Sequence, residues 1–333
     1  MNSIKKEYDI IIVGAGPAGL ECAKNLINSK YSVLLINRDK VHHKVCCNYL
    51  PIRDFSILPK KISNFNFPLL EINYYGIPTS FNFKKDKVFV TERKRLFNLY
   101  ISLIKRSKNI EYLYGNPVTN INKDIVILQD GTEIKFKYLI GADGASSIVR
   151  NYLNLPSKNL LLAIQYPSKK EYKNIKVFFN NKVFPGGYGW IGVHKDYTVI
   201  GGGARIHKDF RKNLEEWIKD NKFAVKFEEI QSCILNCDYR GYKFGDIFLA
   251  GDAAGLVSAF TWEGIYPAVL SGRQVAYDLL GIKKNVLRKW LIIKKIQDYS
   301  VRFVDFLPKN KILFNILLKL LGRPFYKLTL ALN

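Results

Sequence analysis

The stretch Tyr8-Asp-Ile-Ile-Ile-Val13-Gly14-Ala-Gly16-Pro-Ala-Gly19 decides the fold of this chain. Residues 9–13 form an apolar run of strand length, and the glycine-rich turn after it leads into a segment with apolar residues at helical spacing. A second apolar strand is predicted over residues 32–36. A strand, a Gly-x-Gly-x-x-Gly turn and a helix in this order predict a Rossmann-like α/β domain that binds a dinucleotide.

The three glycines of this turn have separate physical roles. Gly14 permits the tight turn, Gly16 lets the backbone approach a pyrophosphate, and Gly19 lets the helix pack close to the strand. Ala18 lies in the first turn of the helix, where free N–H groups face the phosphates. After the second strand, where an acid usually binds the adenosine ribose, the chain has Asn37, whose amide can still hydrogen-bond a hydroxyl group. The turn alone leaves NAD and FAD both open.

The composition is that of a globular protein. The chain has 333 residues, of which 48% are hydrophobic and 24% charged, which excludes a disordered tail protein and a fibrous repeat. Five cysteines are too few for a disulfide framework and favour a reducing compartment. The sequence shows neither a secretory signal nor an apolar run long enough to cross a bilayer, so we expect a cytoplasmic protein.

The charge of the chain is strongly positive. It contains 52 Lys and Arg against 28 Asp and Glu, a formal net charge of +24. Such a balance fits nucleic acid, an anionic membrane surface or anionic substrates, and it also arises from the lysine bias of an A·T-rich genome. The charge alone does not choose among them.

The strand and helix patterns divide the chain into three parts. We expect an α/β cofactor-binding domain that is discontinuous in sequence, formed by residues 1–50, 91–155 and 240–282. Residues 51–90 and 156–239 contain mostly short strands, which predicts an inserted antiparallel β-sheet substrate domain.

Residues 283–333 are predicted to form a basic helical tail. They hold twelve Lys or Arg and two acids, and residues 311–322 place polar side chains every fourth position beside a wide apolar face. Such a helix either packs on the protein or lies on the inner face of a membrane as a peripheral anchor. The pattern is compatible with both.

Two further motifs identify the cofactor by resemblance. Tyr138-Leu-Ile-Gly141-Ala-Asp143-Gly144-Ala-Ser-Ser147-Ile-Val-Arg150 resembles the Asp-Gly fingerprint of the flavoprotein hydroxylase and geranylgeranyl reductase superfamily. Gly245-Asp-Ile-Phe-Leu-Ala-Gly251-Asp252-Ala-Ala-Gly255 resembles its second FAD fingerprint, in which the matching Asp bonds the ribityl chain. Together with the first glycine turn, these motifs imply that the chain binds FAD, with Asp143, Gly144 and Asp252 among the contacts.

Within this superfamily the chain resembles the geranylgeranyl reductases. Thr261-Trp-Glu-Gly264-Ile265-Tyr-Pro-Ala-Val-Leu-Ser271-Gly272 is similar to their segment after the second fingerprint, which implies that Gly264 and Ile265 touch the flavin through the backbone. Arg93 matches their FAD-contacting arginine, and Val118 matches the strand edge beside the adenine. A solvated charge at a helix start is the alternative for Arg93.

Two more stretches resemble motifs of the geranylgeranyl reductases but differ from them at some positions. Tyr188-Gly-Trp190-Ile-Gly192-Val193, followed by Gly201-Gly-Gly203, resembles the reductases' Tyr-x-Trp-x-Phe-Pro…Gly-x-Gly motif, with Gly-Val in place of Phe-Pro. It implies that Tyr188 and Trp190 form a prenyl-binding wall; the alternative is an ordinary aromatic pair on one strand face.

The second of these stretches is a cysteine loop. Lys44-Val-Cys46-Cys47-Asn-Tyr-Leu50 resembles the family's Lys-x-Cys-Gly-Gly-Gly-Leu loop beside the flavin, with bulkier residues in place of the glycines. Cys46 matches the family cysteine and is the candidate catalytic thiol; a thiol that only packs is the alternative. Cys47 follows it as a further cofactor contact.

The resemblance implies an FAD-dependent oxidoreductase that reduces geranylgeranyl-type double bonds, in membrane lipid or prenyl biosynthesis. The expected partners are a prenyl or lipid substrate and an electron donor such as NAD(P)H or ferredoxin, with no nucleic acid. An FAD-dependent monooxygenase or halogenase with a small aromatic substrate is the alternative enzyme class, and a non-catalytic flavoprotein that binds lipid is a third. Cys233 and Cys237 have no partner pair, so no metal site is expected.

Overall fold

The structure is a computed structural model that describes residues 4–40, 49–51, 63–67, 69–74, 77–82, 88–91 and 93–306. Its helices are α1 Pro17–Asn25, α2 Arg93–Ile104, α3 Ile148–Tyr152, α4 Phe210–Asp220, α5 Ile265–Leu279 and α6 Arg288–Phe306. Its strands in the first half are β1 Glu7–Val13, β2 Val33–Asn37, β3 Tyr49–Pro51, β4 Ser63–Phe67, β5 Leu69–Tyr74, β6 Ile77–Asn82, β7 Val88–Thr91, β8 Ile110–Tyr114, β9 Val118–Asn122 and β10 Ile125–Leu128. Those that follow are β11 Glu133–Gly141, β12 Leu160–Pro167, β13 Ile175–Phe179, β14 Tyr188–Val193, β15 Thr198–Arg205, β16 Gln231–Asn236, β17 Lys243–Phe244 and β18 Ile247–Leu249.

The first sheet is the core of the predicted cofactor domain. Its strands lie in the order β17-β18-β11-β1-β2-β8, with β1 parallel to both β2 and β11. Ile10, Ile11 and Ile12 at its centre are 0% exposed, because elements of the chain cover both faces of β1. The predicted Rossmann-like α/β fold is confirmed. The hairpin of β9 and β10 joins this sheet through the start of β11.

The second sheet combines two separate parts of the chain. Its order is β16-β12-β15-β14-β13-β5-β6, so strands from residues 160–236 pair with strands from residues 69–82. All of its pairs are antiparallel except that of β13 with β5. Helix α4 covers one face through Phe210, Leu214 and Trp217. A third, small sheet has the order β3-β7-β4.

Helix α6, the last helix that the structure describes, lies in the predicted helical tail and packs on the first domain. Trp290 and Ile293 are 0% and 1% exposed and belong to the core of the first domain. The Trp290 indole N–H also donates to the carbonyl of Leu256 at 3.1 Å. The start of the predicted tail is therefore an integral helix of the fold, and the predicted membrane helix at residues 311–322 lies outside the described residues. Among the helices that the structure describes, none has the length and apolar character needed to cross a membrane.

Candidate functional site

The glycine turn between β1 and α1 is shaped by close backbone contacts. Gly14 has φ +104°, and a Cβ there would lie 2.3 Å from the carbonyl oxygen of Ala142. A Cβ on Gly19 would lie 1.9 Å from the carbonyl oxygen of Gly14, so only glycine lets the helix approach the strand this closely. The first and third glycines thus have the roles that the sequence predicts.

The turn also leaves an open space before helix α1. A Cβ on Gly16 would come no nearer than 4.0 Å to the atoms around it, the nearest being the carbonyl oxygen of Ala142. The first intrahelical bond is made by Leu20 N–H to Gly16 O at 2.9 Å, so the amides of Ala18 and Gly19 precede it. These amides and the open space form a cradle that suits a pyrophosphate at the positive end of the helix.

Ala18 has a second role in joining two fingerprints. The Ala18 side chain is 4% exposed, and a Cβ on Gly251 would lie 3.2 Å from the Cβ of Ala18. A Cβ on Gly272 in helix α5 would lie 2.1 Å from the carbonyl oxygen of Ala18. Helices α1 and α5 therefore cross at Ala18 in close contact, and this crossing brings the glycine turn next to the second fingerprint.

Asp143 lies directly behind the glycine turn. A Cβ on Gly14 would be 2.8 Å from the Cα of Asp143. Its Oδ2 accepts the amide of Ile148 at 2.7 Å at the start of α3, whereas its buried Oδ1 has no hydrogen-bond partner among the described residues. Burial raises the pKa of this carboxyl, and bonds from Ser147 and the backbone oppose that effect. The neighbouring Gly144 has φ +87° and open space at its Cβ position.

Asn37 supports the glycine turn from the end of β2. Its Oδ1 accepts the amide of Ala15 at 3.2 Å, and its Nδ2 donates to the carbonyl of Asp39. The amide of Asn37 thus closes the loop through two local bonds, and its contact with a ribose stays a prediction.

The second fingerprint places its acid next to the start of helix α5. Asp252 lies in a short 3-10 turn, Gly251–Ala254, whose Gly251 amide donates to Ser271 Oγ at 2.9 Å. A Cβ on Gly264 would lie 3.6 Å from Asp252 Oδ1. Ile265 follows as the first residue of α5 and is 3% exposed, and its backbone contact with the flavin stays a prediction.

Arg150 ties the Asp-Gly fingerprint to the second fingerprint, a role that the sequence did not indicate. Its guanidinium is 1% exposed and donates to the carbonyls of Leu155, Ala253 and Asp238 at 2.8, 3.1 and 2.8 Å. Burial lowers the pKa of this group, and the nearby Asp238 carboxylate opposes that effect. A buried arginine with these partners fixes the two fingerprints relative to each other.

Tyr188 and Trp190 belong to an aromatic cluster with a third member, Trp262. The ring centroids are 6.1 Å apart for Tyr188 and Trp190, 5.6 Å for Tyr188 and Trp262, and 6.5 Å for Trp190 and Trp262. The Tyr188 hydroxyl donates to the carbonyl of Thr261 at 2.8 Å. We call these three residues the aromatic wall. Sequence analysis missed Trp262, although its place two residues before Gly264 is a usable signal.

Glycines in β15 make room for the aromatic wall. Gly201 lies between Trp190 on β14 and Gln165 on β12 in the sheet register. A Cβ on Gly201 would be 2.6 Å from the Cβ of Gln165. Because this position is empty, the Trp190 indole N–H reaches Gln165 Oε1 at 3.3 Å across the intervening strand. This bond fixes the plane of the Trp190 ring.

Helix α6 holds the loop that carries Trp262. Lys294 is 3% exposed, and its Nζ donates to the carbonyls of Cys237 and Val257 at 3.0 and 2.8 Å. It also pairs with Asp298 at 2.7 Å, and Asp298 Oδ1 accepts the amide of Ala259 at 3.1 Å. The loop between the second fingerprint and α5 is thus bound to α6.

The remaining predicted site residues are placed only in part. Arg93 is the first residue of α2, and its contact with FAD stays a prediction. Val118 begins β9 with its side chain 8% exposed in the core, and its contact with the adenine stays a prediction. Cys46 and Cys47 lie outside the described residues. Within the described ranges, no cluster of His, Cys, Asp and Glu suited to a metal ion is found.

These residues fit FAD. The phosphate cradle at α1, the Asp143 carboxylate and the Asp252 carboxylate each follow the end of one of three parallel neighbouring strands, β1, β11 and β18. They offer amides for a pyrophosphate, an acceptor for a polyhydroxyl chain and a glycine backbone for a flat ring. The aromatic wall approaches the same loop from the second sheet.

Comparison with known proteins agrees with FAD as the cofactor. Residues 8–205 match the pyridine nucleotide-disulphide oxidoreductase family. The chain is 31% identical over 324 residues to an uncharacterised protein of Methanosarcina barkeri, covering 89% of this chain and 81% of that protein. It is 25% identical over 301 residues to the digeranylgeranylglycerophospholipid reductase of Methanocaldococcus jannaschii, covering 82% of this chain and 76% of the reductase.

Solved structures share the fold. A geranylgeranyl bacteriochlorophyll reductase-like protein from Thermoplasma acidophilum has a TM-score of 0.72 at 18% identity, covering 90% of this chain and 87% of that one. The flavin-dependent brominase Bmp2 has a TM-score of 0.70 at 15% identity, covering 98% of this chain and 93% of its own. The same fold therefore supports more than one flavin chemistry.

Proposed function

Because the chain belongs to the pyridine nucleotide-disulphide oxidoreductase family and is an FAD-dependent oxidoreductase, we propose that it reduces carbon–carbon double bonds of geranylgeranyl-type isoprenoids. The observation that carries the proposal is the aromatic wall of Tyr188, Trp190 and Trp262 beside the second fingerprint. The similarity to a digeranylgeranylglycerophospholipid reductase supports the same substrate class, and with it a place in membrane lipid biosynthesis.

The cofactor is held by backbone groups and one carboxylate. The amides of Ala18 and Gly19 at the start of α1 would hold the pyrophosphate, and the open space at Gly16 would admit it. Asp252 would accept hydrogen bonds from the ribityl hydroxyls, and the backbone at Gly264 would contact the flavin. When bound and reduced, FAD supplies the hydride for the double bond.

The aromatic wall binds and orients the alkene. Its three rings are large apolar surfaces that bury a prenyl chain and exclude water from the reacting bond. An isolated alkene is not activated, so its protonation develops positive charge on carbon, and the ring faces stabilise a cation near them. The bond from Trp190 to Gln165 keeps one of these faces fixed.

The proton donor that we propose is the Cys46 thiol. The cysteine loop lies outside the described residues, so this role rests on the resemblance of residues 44–50 to the reductases' loop. Cys46→Ser is expected to slow alkene reduction and to leave FAD occupancy unchanged, as measured by turnover and by the flavin-to-protein ratio. An unchanged turnover would assign Cys46 to packing, and Cys47→Ser is then the next variant.

The experiment that tests the function is an anaerobic turnover. The chemically reduced holoenzyme is incubated with a geranylgeranylated glycerophospholipid, and the products are analysed by mass spectrometry. We expect products with two additional hydrogen atoms for each double bond reduced, and a lower yield with Trp190→Ala. A protein that modifies only small aromatic substrates, and only with oxygen and NAD(P)H, would instead be a monooxygenase or halogenase.

A further inference from the structure

Trp262 has a backbone conformation that aromatic residues rarely adopt. Its φ is +58°, in the left-handed region where a bulky side chain is an outlier. Its amide donates to the carbonyl of Ser258 at 3.0 Å, so the loop is a defined turn and not a frayed one. Strained residues of this kind persist where the surroundings determine them, and they are frequent at ligand sites.

The surroundings form a slot that accepts the indole ring. A Cβ on Gly203 of β15 would lie 1.7 Å from Cζ3 of Trp262 and 2.0 Å from its Cη2. A Cβ on Gly187, just before β14, would lie 2.8 Å from Cζ2. The indole therefore fills the space that a side chain at position 203 would occupy, and glycine is required there. A Cβ on Gly187 would first meet the carbonyl oxygen of Gly203, at 2.1 Å, so this second glycine is required by the neighbouring backbone as well as by the indole.

The slot lies beside the other two rings of the aromatic wall. In the sheet register Gly203 is paired with Tyr188, so the indole over Gly203 lies on the same face of the sheet as the Tyr188 ring. The centroids of the three rings form a triangle with sides of 5.6, 6.1 and 6.5 Å. The Trp262 ring therefore occupies the space next to both Tyr188 and Trp190.

The indole is held in this place by packing. Its Nε1 is buried and has no hydrogen-bond partner among the described residues. Removing the ring therefore breaks no hydrogen bond of the side chain. It leaves a groove lined by two glycines and by the faces of Tyr188 and Trp190, which is an apolar surface suited to more of a hydrocarbon chain.

We propose that Trp262 is a specificity-determining residue that limits the length of prenyl chain the site accepts. The indole fills the slot beside Tyr188 and Trp190, so a prenyl chain that lies on these two rings cannot extend into that space. The proposal rests on the proposed function for the identity of the substrate, since it assumes that the wall binds a prenyl chain.

The test compares Trp262→Gly with Trp262→Phe in the full-length holoenzyme. Glycine adopts φ +58° without strain and opens the slot, whereas phenylalanine keeps both the strain and most of the ring. Farnesyl, geranylgeranyl and geranylfarnesyl forms of one lipid head group are used as substrates, and the ratio of kcat/KM for the longest to the shortest is the readout. We expect Trp262→Gly to raise this ratio about tenfold or more, and Trp262→Phe to raise it less.

A binding measurement separates this inference from the proposed function. Calorimetric titration with fully saturated analogues of the same three lipids needs no turnover. A shift toward the longer analogue in Trp262→Gly supports the inference even if no variant reduces a double bond. A length preference that stays within about twofold of the wild type in both experiments would overturn it, and so would a wild-type protein that binds none of the three lipids.

Discussion

Replacement of Lys294 by methionine tests how helix α6 supports the site. The change keeps the length and apolar character of the side chain and removes its charge. It leaves the carbonyls of Cys237 and Val257 without their donor and the Asp298 carboxylate without its cation. Breaking a buried pair costs about 3–5 kcal/mol, and the lower end applies because the Asp298 side chain is 33% exposed.

A loss of about 3 kcal/mol converts into a measurable shift of the melting temperature. Unfolding entropy is about 2.1 cal/mol/K per residue, so a chain of 333 residues has roughly 0.7 kcal/mol/K. The expected decrease in Tm is therefore about 4 °C. Because the same lysine holds the loop before α5, flavin release on heating should also begin earlier than in the wild type.

Thermal unfolding is followed by circular dichroism and flavin release by flavin fluorescence. Lys295→Met is the matched control, since Lys295 is the next residue of α6 and is exposed. It should leave Tm unchanged. If Lys294→Met melted within about 1 °C of the control, the bonds of Lys294 to the loop would not stabilise the fold, and the reasoning would be wrong.

Three further predictions concern the cofactor, the pH dependence and the membrane. Asp252→Ala should lower the flavin-to-protein ratio after purification, whereas Asp246→Ala, on an exposed residue of the same fingerprint, should not. Burial lowers the pKa of His194 from 6.5 to about 4. As the pH decreases between these values, the unfolded chain binds a proton at His194 that the folded chain does not bind, so the free energy of unfolding falls. His194→Phe should reduce that loss by about 3 kcal/mol in denaturant titrations at pH 4 and pH 7. The intact protein should co-sediment with anionic vesicles at low salt and less so at high salt, and removal of residues 307–333 should abolish this; sedimentation without salt dependence would contradict an electrostatic contribution.

The glycine turn could be predicted from the sequence, because its geometry depends on residues that are neighbours in the chain. The roles of Gly14 and Gly19 follow from their spacing alone, because any Gly-x-Gly-x-x-Gly turn between a strand and a helix needs the same two close approaches. The structure confirms the α/β fold and brings the turn into contact with both later fingerprints.

The roles of Trp262 and Lys294 depend on contacts between distant parts of the chain, and sequence reasoning did not find them. The slot for Trp262 is built by glycines on a different sheet, so no local pattern reveals it. Lys294 belongs to the basic segment whose pattern was compatible with packing on the protein and with membrane binding, and two carbonyls and Asp298 bind it in the interior. Because both carbonyls belong to other elements, these bonds cannot be recognised from the charge pattern of the lysine's own helix.

An anaerobic mixing experiment shows whether the reduced flavin transfers hydride to the lipid. Reduced enzyme is mixed without oxygen with a geranylgeranylated glycerophospholipid, while the visible absorption of oxidised flavin and the mass of the lipid are recorded. We expect the flavin absorption to return in step with the gain of hydrogen by the lipid. A flavin that stays reduced until oxygen is admitted, with a lipid of unchanged mass, would refute double-bond reduction by this protein.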